Sequence, residues 1–91
     1  QSLTATDLYR ICSSTEELSI AECYAYSTGA HEAVYDAASH GWMKGYCPPK
    51  GTNNAQIPRL VGQYLRGHPK AKEWGASTVI YLAMAEAFPC K

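Results

Sequence analysis

The fold of this chain is decided by residues 18–43, LSIAECYAYSTGAHEAVYDAASHGWM. Apolar and hydroxyl-bearing side chains recur along it mostly at steps of three and four: Ile20, Tyr24, Ser27, His31, Val34, Tyr35, Ala38 and Trp42. This spacing places side chains on one face of a 3.6-residue helix. As a helix the stretch would be roughly 40 Å long at about 1.5 Å per residue. The other segments are therefore predicted to pack against it or to attach to its ends.

The ends of this long helix are marked by caps and glycines. Two capping boxes allow a start near residue 15 or near residue 20, and both remain open: Ser14 with Glu17, and Ser19 with Glu22. Gly41 and Gly45 bracket its end, and two prolines follow. Gly29 in its middle costs about 1 kcal/mol relative to alanine. We therefore expect another backbone to approach closely there.

Three shorter helices are predicted around the long one. The first covers residues 5–12, with Thr4 as its cap and Asp7 three residues later. The third runs from about residue 54 to 67, after a cap at Asn53 with Gln56 as its partner, and the fourth from 76 to 87. The third carries the clearest apolar stripe, formed by Ile57, Leu60, Val61, Tyr64 and Leu65. The prediction is an all-α, four-helix bundle with three major helices and one short N-terminal helix, in a single domain spanning residues 1–91.

Four cysteines in 91 residues predict two disulfides, because so short a chain buries only about 60 to 65% of its unfolded surface. Their spacing fits no zinc pattern. Cys23 and Cys47 would lie roughly 30 Å apart along a continuous helix, whereas a disulfide needs Cα atoms within about 7 Å. Cys12 lies beside the same helix start, which disfavours a bridge to Cys47 as well. Cys12–Cys23 and Cys47–Cys90 remain, in an oxidising compartment.

The charge pattern excludes several classes of partner. Eight basic and eight acidic residues cancel without forming a run, which argues against nucleic acid. No stretch approaches the roughly 20 apolar residues of a membrane span. The chain begins with Gln1, which fits a mature protein that has lost its signal peptide and equally fits a trimmed chain.

No catalytic, metal or cofactor site is predicted. His31 and Glu32 begin like the zinc-protease motif, but Tyr35 replaces its second histidine. Glu32, Asp36 and His40 share a helix face, which is interpreted as solvated in preference to metal-binding. His31 belongs to the inner stripe and is interpreted as a buried histidine satisfied by hydroxyl groups.

Aromatic residues indicate an interaction protein. Seven tyrosines and two tryptophans are a large supply of side chains that favour interfaces. The core is the preferred place for Tyr24, Tyr35 and Tyr64. The glycine-bounded segment 67–75, GHPKAKEWG, is a candidate for docking into a partner's cleft, and Trp74 as a flap over the core is the alternative.

The chain resembles the Rap/Tai immunity proteins, which protect bacteria against peptidoglycan-cleaving amidase effectors of the type VI secretion system. The similarity covers residues 8–90 in five pieces: Leu8-Tyr9-Arg10-Ile11-Cys12-Ser13-Ser14, Cys23 with Gly29, Cys47-Pro48-Pro49-Lys50-Gly51-Thr52, Gln63-Tyr64-Leu65 with His68-Pro69, and Glu86-Ala87-Phe88-Pro89-Cys90. Pro48 departs from the aliphatic residue usual in the family, and Tyr24-Ala25-Tyr26 is more aromatic than usual.

The resemblance implies a small, all-helical periplasmic protein without catalysis of its own, often a homodimer, that binds its amidase and blocks the active-site cleft. In some members the loop between the last two long helices enters that cleft, which implies effector contacts at His68, Lys70, Lys72, Glu73 and Trp74. The alternative is a disulfide-stapled helical carrier of a lipid or other apolar ligand. Tight packing of the small residues around Gly29 would argue against a carrier. A zinc-dependent enzyme ranks third.

Overall fold

The computed structural model describes residues 3–49, 51–52 and 54–90. These residues form four α-helices: α1 Ala5–Cys12, α2 Glu17–Ser39, α3 Ile57–Gly67 and α4 Ala76–Ala87. Short 3-10 helices, Asn54–Gln56 and Pro69–Glu73, precede and follow α3. The described residues contain no strand, and Thr4 and Gly75 make an isolated antiparallel bridge. The predicted all-α fold with four helices is confirmed.

Helix α1 has the predicted bounds and the predicted cap. The Thr4 hydroxyl accepts a hydrogen bond from the backbone N–H of Asp7 at 3.1 Å, and the Asp7 carboxylate accepts one from the backbone N–H of Thr4 at 3.1 Å. These reciprocal bonds satisfy two backbone donors that a helix start otherwise leaves unpaired.

Helix α2 begins between the two predicted starts. Its cap is Glu16, whose side chain makes no capping hydrogen bond. The Ser14 hydroxyl instead accepts a hydrogen bond from the backbone N–H of Glu16 at 3.1 Å. Neither predicted capping box therefore starts the helix, because Ser14 is used in the turn before it.

Helix α2 ends at Ser39, so the predicted continuation to residue 43 is wrong. Gly41 takes φ +77°, a left-handed conformation that a helix cannot propagate. The backbone N–H of Gly41 donates to the carbonyl of Ala38 at 3.1 Å, and that of Trp42 to Ala37 at 2.8 Å. The chain then turns back towards α4, where the Tyr81 hydroxyl donates to the carbonyl of Lys44.

The buried face of α2 is narrower than predicted. Ser27, His31 and Val34 are buried, whereas four members of the predicted stripe are exposed: Ile20, Tyr24, Tyr35 and Trp42. Exposed Ile20 and Tyr24 lie seven residues before buried Ser27 and His31, so exposed and buried side chains share one helix face. A period of 3.6 residues does not tell which of them another element covers.

Gly29 does not lie under another backbone. A Cβ placed on it would meet no atom within 4 Å, so the predicted close approach is wrong. Its residue is exposed, on the side of α2 away from the core. Gly29 therefore provides no evidence of tight packing against a carrier.

The core lies between α1, α3 and α4. Leu8 comes from α1, and α3 contributes its predicted stripe, with Leu60 half-buried and the other four members buried. Helix α4 buries Ala76, Val79, Ile80, Ala83 and Met84. The predicted start of the third helix is close, since a 3-10 turn at 54–56 leads into Ile57, but the predicted cap Asn53 lies outside the described residues.

Both predicted disulfides are confirmed. Cys12–Cys23 and Cys47–Cys90 each join Cα atoms 5.0 Å apart, and no described cysteine is free. The first bridge links α1 to the N-terminal part of α2. The second links the loop after α2 to the end of the chain, where the backbone N–H of Cys47 also donates to the carbonyl of Phe88 at 2.9 Å. Among the described helices none has the length and apolar character needed to cross a membrane.

Candidate functional site

The segment between α3 and α4, residues 67–75, presents all five predicted contact residues on the surface. His68, Lys70, Lys72, Glu73 and Trp74 are exposed, and they surround Ala71, which is completely buried. Pro69–Glu73 is a short 3-10 helix, and Ala71 is its buried residue. We call residues 67–75 the α3–α4 segment.

The α3–α4 segment is attached to α1 and the residues just before it. Three hydrogen bonds make the attachment: Ala5 N–H to the Trp74 carbonyl at 2.9 Å, Ala76 N–H to the Leu3 carbonyl at 2.8 Å, and the Thr6 hydroxyl to the Lys72 carbonyl at 3.0 Å. Backbone groups held in this way lose little further freedom when a partner binds. The segment is therefore presented in a fixed conformation.

His68 is held by two side-chain contacts. Its ring stacks on Tyr64, with ring centroids 4.1 Å apart and planes 23° from parallel. Its Nε2 lies 3.1 Å from Oε1 of Glu86 on α4. These contacts hold His68, the first residue after α3, against both α3 and α4.

Trp74 is 45% exposed, so more than half of its side chain is covered by the rest of the molecule. The alternative that it acts as a flap over the core stays a prediction. A large aromatic ring that is half exposed on a fixed backbone is typical of residues that anchor a partner.

A cleft of about 400 Å³ lies beside the α3–α4 segment. It is lined by residues of α1, α3 and the 3-10 helix: Thr6, Tyr9, Gly62, Leu65, Arg66, Pro69 and Lys72. Its floor forms because Gly62 has no side chain, since a Cβ there would come within 2.9 Å of Cε1 of Tyr9. The Tyr9 ring can therefore lie against α3 and line the cleft while the residue remains 44% exposed to solvent.

The positive charges beside this cleft have no ion-pair partner among the described residues. None of the described residues forms a salt bridge with Arg66, Lys70 or Lys72. The nearby carboxylate of Asp7 is engaged with Arg10 at 2.6 Å. The pKa of Asp7 is lowered from its usual range, mainly by the hydrogen bond from the backbone of Thr4 and then by its contacts with the Thr4 side chain and Arg10.

The acidic and histidine residues on α2 do not assemble a metal site. Glu32, Asp36 and His40 are exposed, as the solvated-face interpretation predicted. His40 Nδ1 lies 2.8 Å from the carbonyl of Asp36 and 3.7 Å from its carboxylate. No group of three or more His, Cys, Asp or Glu side chains in the described part of the chain could hold a metal ion. His31 is buried, as predicted, with its ring edge-on to Tyr35 at a centroid distance of 6.1 Å.

The tyrosines divide between core and surface differently from the prediction. Tyr64 is buried as predicted, but Tyr24 and Tyr35 are 65% and 46% exposed, so their assignment to the core is wrong. The most buried tyrosine is Tyr46, at 2% exposure, in the loop after α2. Sequence periodicity gave no signal for it, because it lies outside any helix.

The cleft itself was not predicted from sequence. Tyr9 lies on α1, far along the chain from Gly62 and Arg66 on α3, and no local pattern connects the two helices. The one available signal was Gly62 within the strong apolar stripe of α3, because a glycine inside a helix often marks close packing by another group.

Comparison with known protein families shows which family this chain resembles. The family of Rap1a immunity proteins matches residues 4–90, nearly the whole chain. Comparisons with curated proteins and with solved structures give no match. The chain therefore belongs to the family of Rap1a immunity proteins.

Proposed function

We propose that the protein binds a peptidoglycan amidase effector of the type VI secretion system and inhibits it by occluding its active-site cleft. Membership of the Rap1a family implies immunity to a secreted effector and suggests a non-catalytic inhibitor. The identity of the effector as an amidase and the steric mechanism belong to the proposal.

The α3–α4 segment carries the proposal. Trp74 is half exposed at the end of a 3-10 helix whose backbone is bonded to α1, and charged side chains flank it. A rigid projection with one large aromatic ring can enter an enzyme cleft at low entropic cost, and such rings provide much of the affinity of interfaces. His68, Lys70, Lys72, Glu73 and Trp74 are the proposed contacts.

The proposed location is the periplasm, after removal of a signal peptide. Two disulfides and the family are consistent with an extracytoplasmic protein. An oxidising compartment is required for such bridges to persist, and an inhibitor of a cell-wall enzyme must meet it outside the cytoplasm. We also propose that residues 1–91 act as one domain, since α1, α3 and α4 share one core.

The proposal is tested by adding the purified protein to type VI amidase effectors and measuring both peptidoglycan cleavage and binding by calorimetry. The double variant Trp74→Ala, Lys72→Glu should weaken binding to the inhibited effector by at least about 2 kcal/mol, the loss typical of an aromatic hot spot. The matched control is Trp42→Ala, Lys44→Glu, which changes another exposed tryptophan and a lysine two residues away.

The control should bind as the wild type does, and both variants should keep the helical circular dichroism of the wild type. Equal affinity of the two double variants would move the contact surface away from the α3–α4 segment. A native mass spectrum of the protein purified from cells distinguishes the inhibitor from the carrier alternative, because a carrier would retain a small ligand and show its added mass.

We further propose that the chain forms a homodimer through Ile20, Tyr24 and Tyr35 of α2. These side chains lie within about 60° of one another around the helix axis and are 52%, 65% and 46% exposed. Large exposed apolar and aromatic side chains on one helix face are typical of interaction surfaces. The double variant Tyr24→Lys, Tyr35→Lys should sediment as a monomer at concentrations where the wild type sediments as a dimer, and a wild-type monomer would contradict the proposal.

A further inference from the structure

We infer that the cleft between α1, α3 and the 3-10 helix Pro69–Glu73 is a specificity pocket for an acidic segment of the partner protein, in which an apolar side chain lies beside a carboxylate. The identity of the partner rests on the proposed function, whereas the chemistry of the cleft does not. The inference extends the contact surface beyond the α3–α4 segment to residues of α1 and α3.

The apolar part of the pocket is formed by Tyr9, Leu65 and Pro69 above the glycine floor. Gly62 is buried, and the ring of Tyr9 rests on the space that a Cβ at Gly62 would fill. The cleft volume of about 400 Å³ lies within the range of about 300 to 1,000 Å³ typical of ligand pockets. It is therefore large enough to receive an apolar side chain from outside.

The charged part is formed by Arg66 of α3 and Lys72 of the 3-10 helix, which both line the cleft. Both side chains are exposed and neither forms a salt bridge within the described residues. The chain as a whole carries no net charge, so these cations reflect local placement and not an overall excess. A partner segment with carboxylates next to an apolar residue complements the two cations in charge and the apolar wall in polarity.

The pocket is preformed because its three walls are bonded together. The Thr6 hydroxyl of α1 donates to the carbonyl of Lys72 at 3.0 Å, and buried Ala71 fastens the 3-10 helix to the core. His68 N–H donates to the carbonyl of Tyr64 at 2.9 Å, which joins the 3-10 helix to the end of α3. A pocket of fixed shape discriminates between partners, because a partner with the wrong shape or charge would clash with its walls or leave a charge unpaired.

The inference is tested by titrating the isotope-labelled protein with capped tripeptides at millimolar concentration and following the backbone amide signals by NMR. The first peptide has phenylalanine between two aspartates, and the second has phenylalanine between two lysines. The aspartate peptide should perturb the signals of Tyr9, Leu65, Arg66 and Lys72 and bind about tenfold more tightly than the lysine peptide. Equal binding of the two peptides, no binding, or perturbation confined to other residues overturns the inference.

Two variants locate the effect. Arg66→Glu with Lys72→Glu should reduce affinity for the aspartate peptide by about tenfold or more, since both favourable charges become repulsive. The matched control, Arg59→Glu with Lys44→Glu, makes the same charge change at exposed residues that do not line the cleft. Equal losses in the two variants would overturn the inference. Tyr9→Ala provides an independent check. It removes part of the apolar wall without changing any charge, so it should weaken binding of the aspartate peptide.

The outcomes separate this inference from the proposed function. Binding of the aspartate peptide without inhibition of any amidase would refute the proposed function alone. Inhibition of an amidase by a protein that shows no preference for the aspartate peptide would refute the pocket alone. Perturbation of the cleft residues when the free protein is simply concentrated would assign the cleft to a second copy of the chain and would also overturn the inference.

Discussion

At the scale of the residue, Tyr46 is the clearest product of tertiary structure. Its side chain is 2% exposed, and its hydroxyl has no hydrogen-bond partner within the described residues. Burial raises its pKa from 10.0 to about 12, and the proximity of Tyr35 adds to this effect. Burial has this effect because a phenolate loses its hydration where the neutral phenol loses little.

The raised pKa of Tyr46 predicts a loss of stability at high pH. Folding favours the neutral phenol, so this contribution is complete below pH 10, the ordinary pKa, and is lost as the pH rises towards about 12. Absorbance at 295 nm should show one tyrosine ionising near pH 12 in the folded protein, and Tyr46→Phe should remove that step.

The same variant tests the unpaired hydroxyl. Tyr46→Phe should raise the free energy of unfolding at neutral pH by about 1 kcal/mol, because it removes a buried polar atom that has no described partner. Tyr24→Phe, at an exposed position, should change it by less than about 0.5 kcal/mol. A loss of stability in Tyr46→Phe would mean that the hydroxyl is hydrogen-bonded in solution.

The same substitution should have different effects on stability at two helical glycines. A Cβ at Gly29 meets no atom within 4 Å, so Gly29→Ala should stabilise the protein by about 1 kcal/mol through helix propensity alone. A Cβ at Gly62 would meet the Tyr9 ring at 2.9 Å, so the same gain should be offset by displacement of that ring. Urea unfolding of both variants measures the difference. Equal stabilisation would show that Tyr9 moves without cost.

At the scale of the element, the capping box of α1 predicts a local stability effect. Thr4→Ala should lower the free energy of unfolding by about 1 kcal/mol, because it removes the side chain that caps the Asp7 backbone. Thr15→Ala, an exposed threonine in the turn before α2, is the matched control and should have little effect.

The capping box also has a pH dependence. Because the pKa of Asp7 is lowered in the folded state, its contribution to stability is present above its ordinary pKa of 3.8 and is lost as the pH falls through the lower folded value. Thermal unfolding of Asp7→Asn should show a weaker dependence on pH in the acid range than the wild type. An unchanged dependence would contradict the assigned hydrogen bonds.

Elements were predicted from sequence to unequal degrees. Helices α1 and α4 have the predicted bounds, because a cap or flanking prolines and glycines mark both ends. Helix α2 was predicted four residues too long, since Gly41 acts through its conformation and not through hydrophobic pattern. Ile20, Tyr24 and Tyr35 were assigned to the core because they share a helix face with its buried residues, and only the neighbouring elements decide which part of that face is covered.

At the scale of the whole molecule, the two disulfides differ in the length of chain that they close. Cys47 and Cys90 are separated by 43 residues, whereas Cys12 and Cys23 are separated by 11. In the chain-entropy account, a longer closed loop restricts the unfolded state more. Replacing Cys47 and Cys90 by serine should cost about 4 kcal/mol, and replacing Cys12 and Cys23 about 3 kcal/mol.

Denaturant unfolding of the two double variants checks this order. A larger loss from the shorter bridge would mean that it holds α1 against α2 by more than restriction of the unfolded chain. Circular dichroism should show α3 and α4 still formed in both variants, because none of the fully buried residues of their shared core is a cysteine.

The sequence by itself determined the helical class, the bounds of α1 and α4, the stripe of α3 and both disulfide pairings. These features depend on local signals, namely caps, periodicity and the length of one continuous helix, which fixes the distance between its ends. Only the tertiary structure decided which residues of α2 are buried, that Tyr46 lies in the interior, and that Tyr9, Gly62 and Lys72 meet in one cleft. The reason is that burial and the assembly of a pocket depend on contacts between distant segments, which no local pattern records.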